Sequence, residues 1–238
     1  MRLFTRSQSK TDKSKNDGAI VWPLQFSPAD ESVEHGGKNM CAEASPSCME
    51  ACLKKAGMNI MPTHVAARVR KTLFYLNEEE EFHRIANKEL EALKRKAARE
   101  GMTPATRPNT LSDVPQFGIR IANDHPDLQV YDYTKRLKWW KKHSDKRPDN
   151  YAVVLSRSET NEDLWSEMMS TGEWAGAVVF DTDDPANFPT HYMGYPVENG
   201  DASDSRWKTP KGTVVGLTLK GTNEAKQEAR DSGFAVPC

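Results

Sequence analysis

No apolar run in this chain approaches the roughly 18–20 residues that span a bilayer, which excludes a membrane-spanning helix. The opening residues, Met1-Arg2-Leu3-Phe4-Thr5-Arg6, turn polar at once and lack the apolar stretch of a secretory signal. The expected location is therefore cytoplasmic. Charge of one sign is also missing. The chain has 33 Lys and Arg against 34 Asp and Glu, a net charge of −1, so bulk charge gives no reason to expect nucleic-acid binding and only a local patch can argue for it. No internal repeat is visible, which excludes a solenoid. Cysteine is scarce, with four in 238 residues, but three of the four fall within twelve residues: Cys41, Cys48 and Cys52. In a reducing compartment such clustering points to metal binding or catalysis before disulfides.

Residues 1–18 are rich in Lys, Ser, Thr, Asn and Asp and are expected to form a disordered tail. Residues 19–238 read as a single α/β domain, because no linker interrupts them. Ala19 to Leu24 is apolar and reads as the first strand. Ser45-Pro46 has the chemistry of a helix start, and the helix is expected to run through Ala56 and stop at Gly57. Helical spacing covers 62–76, then a long charged stretch over 78–99 with Phe82, Ile85, Ala86, Leu90 and Leu93 on one face. Strands are expected over 103–107, 128–133, 151–156, 174–180 and 213–219. Helices are expected at 114–123, 137–143 and 161–170 between the earlier ones. Residues 181–212 read as a long irregular loop. Alternating strands and helices of this length imply a parallel sheet with helical crossovers, taken here as an incomplete parallel (β/α) barrel.

Six residues separate Cys41 from Cys48, and three separate Cys48 from Cys52. On a continuous helix the last two would share one face, about 5–6 Å apart at Cβ. A helix N-terminus would also favour thiolates by lowering their pKa. Three thiolates can hold three irons of a four-iron cluster, or zinc with a fourth ligand from His35 or His64. The competing readings are small packed residues on a buried helix face and a disulfide.

Ligands of parallel sheets collect at the carboxyl ends of strands. Three such ends carry mixed charged and hydroxyl groups. The first supplies Arg107, Asn109, Ser112 and Asp113. The second supplies Asp132, Lys135 and Arg136. The third supplies Ser156, Arg157 and Glu159. Arg107, Asn109, Ser112, Asp132, Ser156 and Arg157 are the candidates for holding a cofactor or substrate. Lys135, Glu159 and Asp113 are the candidates for catalysis. Ser112-Asp113 also suits a helix cap, and Gly200-Asp201-x-x-Asp204-x-Arg206 either places two carboxylates together or forms a surface turn. The basic stretch Lys135–Lys142, with Trp139 and Trp140, has the makings of a nucleic-acid contact. An amphipathic helix with snorkelling lysines explains the same spacing.

The run Cys41-Ala42-Glu43-Ala44-Ser45-Pro46-Ser47-Cys48-Met49-Glu50-Ala51-Cys52-Leu53 resembles the cysteine box of an uncharacterised tailed-phage protein family related to the gene product eighty-eight group. The likeness continues through Arg68-Val69-Arg70-Lys71-Thr72, Arg107-x-Asn109-Thr110-x-Ser112-Asp113, Tyr131-Asp132-Tyr133-Thr134-Lys135, Asn150-Tyr151 and Ser156-Arg157-Ser158-Glu159-x-Asn161. It ends in Gly200-Asp201-x-x-Asp204-x-Arg206 and Val215-Gly216-Leu217-x-x-Lys220-Gly221. A more distant likeness is to phage radical-SAM-like proteins, from which the cysteine spacing departs. The resemblance implies the cytoplasm of an infected bacterial host. The family carries no assigned function, so the functional expectation rests on the three cysteines ahead of an alternating strand–helix array: a protein binding an iron–sulfur cluster or metal through them. A 4Fe-4S cluster with S-adenosylmethionine, acting on a nucleotide, nucleic acid or small metabolite, is one expectation. A non-enzymatic protein stabilised by zinc, binding nucleic acid or a host factor, is the other.

Overall fold

The computed structural model describes residues 1–55 and 57–238. Eight strands form its sheet: β1 (Ala19–Pro23), β2 (Thr103–Arg107), β3 (Gln129–Thr134), β4 (Tyr151–Ser156), β5 (Ala175–Phe180), β6 (His191–Tyr192), β7 (Tyr195–Asn199) and β8 (Val214–Thr218). Their spatial order is β1-β2-β3-β4-β5-β8-β7-β6. Every neighbouring pair is parallel except β6 and β7. Among the described residues, seven α-helices accompany them: α1 (Pro46–Glu50), α2 (Pro62–Asn77), α3 (Glu79–Glu100), α4 (Pro115–Asp124), α5 (Leu137–Lys142), α6 (Glu162–Ser170) and α7 (Asn223–Asp231).

Alternation along each strand sorts its side chains onto two faces. Ile20, Trp22, Val130, Val153, Leu155 and Val178 join the main core, where Phe82, Leu90 and Leu93 of α3, Phe117 of α4, Trp140 of α5 and Trp165 of α6 pack against them. Val21, Ala105 and Tyr131 point the other way and meet Trp207, while Val154, Ala177 and Val215 form a further small cluster on that side. Burial on both faces is what a parallel sheet requires.

The sheet is open, which corrects the barrel. Closure needs the first strand to pair with the last at a consistent tilt. Instead, 181–212 supplies β6 and β7, so the loop expected there is a β-element at the edge of β8. At the opposite edge Phe4 bridges Leu24, and the Thr5 amide donates to the Pro23 carbonyl at 2.9 Å.

That edge contact also replaces the expected tail. Leu3 and Phe4 are buried, and their amides donate to the two carboxylate oxygens of Glu89 on α3, both at 2.9 Å. A 3-10 helix follows over Thr11–Asp17. The average polarity of 1–18 hid two apolar residues that are enough to anchor the segment.

The helix expected from Pro46 to Ala56 is shorter. Ser45 caps it as anticipated, its hydroxyl accepting from the Cys48 amide at 3.2 Å, but α1 ends at Glu50 and a 3-10 turn follows at Leu53–Lys55. Ala56 itself lies outside the described residues. Exposed Leu53 offers no apolar face that would hold a longer helix down. Among the described residues, no helix is long and apolar enough to cross a membrane.

Candidate functional site

A cavity of about 420 Å³ opens at the carboxyl ends of the parallel strands. Cys41, Cys48 and Cys52 line one wall. The strand-end groups Arg107, Asn109, Ser112, Asp113, Lys135 and Ser156 line the same cavity. Nine of the twelve candidates named from the sequence line this one cavity. His35 and His64 do not line it.

The cysteine wall is held by its surroundings. Glu159 reaches across from the β4–α6 loop, its carboxylate accepting from the Ser45 hydroxyl at 2.9 Å and the Ser47 amide at 3.2 Å. Negative charge at the start of a helix is favourable there. Glu159 thus braces α1 and does not line the cavity. Arg68 of α2, fully buried, donates to Glu31 at 2.9 and 2.6 Å and to the Asn59 carbonyl at 3.0 Å, tying the segments on either side of the box to α2.

Because α1 stops at Glu50, Cys48 and Cys52 do not share a helical face. The expected fall in thiol pKa is also reversed at two positions. Burial pushes Cys41 up to about 12, and burial raises Cys52. The Cys41 thiol faces the Leu111 carbonyl at 3.4 Å. Desolvation of a thiolate outweighs the weak field of a five-residue helix. Among the described residues, no three His, Cys, Asp or Glu side chains come together to hold a single metal ion.

Asp113 accepts from the Thr134 hydroxyl at 2.8 Å, the Lys135 amide at 2.7 Å and the Arg136 amide at 3.2 Å, locking the β3–α5 turn against the β2–α4 loop. Burial nevertheless raises its pKa to about 6, within the range useful for proton transfer near neutrality. Lys135 lies over the ring of Phe234, 5.4 Å from its centroid.

Two remaining candidates sit behind the wall. Asp132 accepts from the Asn109 amide at 2.7 Å, the Asn109 side chain at 2.9 Å and the Tyr151 hydroxyl at 2.8 Å. Burial pushes it up to about 7 against those three donors. Gly118 permits this arrangement, since a Cβ there would collide with the Tyr151 hydroxyl. Arg157 pairs with Glu162 at 2.6 Å and donates to the carbonyls of Gly233 and Phe234. It anchors the C-terminal segment that brings Phe234 to the cavity. Both residues are placed to position the wall, because their polar atoms are spent on backbone and neighbouring side chains.

Sequence reasoning missed Lys10, Tyr133, Thr218, Lys220 and Phe234, all of which line the cavity. For the 200–206 motif it weighed two carboxylates placed together against a surface turn, and the turn reading does not hold at Asp204 and Arg206. Asp204 and Arg206 are buried, and Asp201 accepts from the Thr218 amide at 2.9 Å and hydroxyl at 2.8 Å. Mixed polar motifs flanking a strand were the available signal. The basic stretch 135–142 is divided: Lys135 turns to the cavity, Leu137 and Trp140 are buried, and Lys141 pairs with Glu167 at 2.6 Å.

Among known proteins, the family model described as Gene product 88 matches residues 2–237. No curated protein and no solved structure matches the chain.

Proposed function

We propose that this chain, which belongs to the Gene product 88 family, is a phage enzyme that carries an iron–sulfur cluster at the rim of its sheet and works on a small molecule bound beside it. The observation that supports this reading is the meeting of Cys41, Cys48 and Cys52 with Arg107, Asn109 and Lys135 around one cavity. A four-iron cluster spreads its cysteine ligands over separate irons, so the thiols need not converge on a point as a single zinc ion demands. Three thiols around one cavity match the ligand number of such a cluster with one iron left open. Cys41, Cys48 and Cys52 would hold it. When bound, such a cluster supplies one-electron chemistry and an open iron able to take a chelating ligand, such as the amino-acid end of S-adenosylmethionine.

The protein's own residues divide the remaining tasks. Arg107 and Lys135 bring positive charge to the cavity, Asn109 and Ser112 shape its polar wall, and Asp113, raised to about 6 by burial, can exchange a proton just below neutrality. Phe234 lines the cavity beside Lys135.

The test is to produce the protein without air and measure iron, sulfide and zinc per chain together with visible absorption. About four irons and four sulfides per chain, lost in C41S, C48S and C52S, are expected. Zinc alone, or no metal, under these conditions refutes the cluster.

A further inference from the structure

The cavity has a second chemistry, remote from the thiols in sequence and independent of them. Asp204 is fully buried. Its Oδ2 accepts from the Tyr131 hydroxyl at 2.7 Å and lies 3.4 Å from Nη1 of Arg107. Its Oδ1 has no hydrogen bond among the described residues and faces Nζ of Lys10 at 3.7 Å. One carboxylate thus stands against two cations.

The neighbouring charges are already matched. Lys220 pairs with Asp201, and Arg206 pairs with Glu198 at 3.1 Å. A surplus of one positive charge is left at Lys10 and Arg107. Arg107 is only 8% exposed, and its Nε has no partner among the described residues. The Tyr133 hydroxyl is likewise buried without a partner. Arg107 and Lys10 both lie over the Tyr133 ring, with the guanidinium carbon 4.7 Å and the ammonium 5.3 Å from its centroid.

Three donors without adequate acceptors therefore gather in one corner of a cavity. A buried donor left unsatisfied is destabilising, and an uncompensated buried charge is more so. Burial accordingly lowers the pKa of Lys10 to about 8 despite the nearby Asp204. A bound group carrying a single negative charge and two acceptor oxygens removes both deficits together.

We propose that Lys10, Arg107 and Tyr133 form a subsite for the carboxylate of a small molecule that enters the rim cavity. A phosphate dianion would leave one negative charge in excess, whereas a carboxylate neutralises the surplus. The planar guanidinium also suits a planar carboxylate. Lys10 comes from the segment that precedes β1, so the ordered N-terminus completes the subsite. Nothing in this arrangement requires the cluster.

The test uses the full-length protein, as isolated and after chelator treatment. Acetate, pyruvate and succinate are titrated against inorganic phosphate and chloride at matched ionic strength, with calorimetry and melting temperature as readouts. At least one carboxylate is expected to bind saturably, one per chain, and to raise the melting temperature above the chloride control. Binding is expected to weaken at least tenfold in R107Q and in Y133F. R107Q also disturbs Asp204, so Y133F, which removes only an unpartnered hydroxyl, is the decisive variant. Unchanged binding in Y133F, no saturable carboxylate effect, or a preference for phosphate overturns the proposal. Carboxylate binding that persists after chelation upholds the subsite, and where the air-free preparation itself contains no iron, only the cluster is refuted.

Discussion

Replacing Phe4 with alanine tests whether the first eighteen residues belong to the folded body. Phe4 is 1% exposed and sits in the main core, with its amide bonded to Glu89. Truncating a buried phenylalanine removes its transfer free energy and leaves a cavity, at a cost of about 3–5 kcal/mol. For a protein of this size each kcal/mol lowers the melting temperature by about 2–4 °C, so F4A is expected to melt about 6–20 °C lower. The segment would also become open to trypsin at Arg2 and Arg6, and Lys10 would lose its place against Asp204. Thermal and urea denaturation followed by circular dichroism, with limited trypsin digestion, measure these effects. A change below about 0.5 kcal/mol, as for an ordinary surface site, would show that the segment is not anchored and refute the reasoning.

Two further outcomes follow from the site. The raised pKa of Asp113 means that the folded protein keeps a proton between pH about 4 and about 6 that the unfolded chain has released, so the wild type loses stability as pH rises through that window and no more above it. The loss relative to D113N is on the order of 3 kcal/mol, and urea denaturation at pH 4 to 7 giving parallel curves for the two proteins would contradict it. E159A removes the carboxylate that braces α1, with an expected cost of about 1–3 kcal/mol and faster reaction of Cys48 with a thiol reagent; unaltered stability and labelling would remove Glu159 from that role.

Much of the sheet was legible because strands write their signature locally. The stretches 103–107 and 151–156 coincide with β2 and β4, and residues at the strand ends line one cavity. Segments whose structure depends on distant partners were not legible. β7 is a strand through its pairing with β8, and its own residues read as turn. The helix at Pro46 announced its start through Ser45, while its end was set by what lay beneath it. At the site, Arg107, Asn109 and Lys135 were found because polar residues follow apolar strands. Asp132 and Arg157 carried the same signal but face other partners, since a strand's last residues alternate between cavity and interior.

By itself the sequence determined the alternation of strand and helix, and hence a parallel sheet with a polar rim, because residue periodicity acts over a few positions. It also determined that three thiols lie on one short segment. Only the tertiary structure decided that the sheet stays open, that the N-terminus is ordered, and that Lys10, Arg107 and Asp204 share one corner. Arg107 and Asp204 are 97 residues apart in the chain. Their charge balance exists only once packing has brought them together, and no local pattern encodes it.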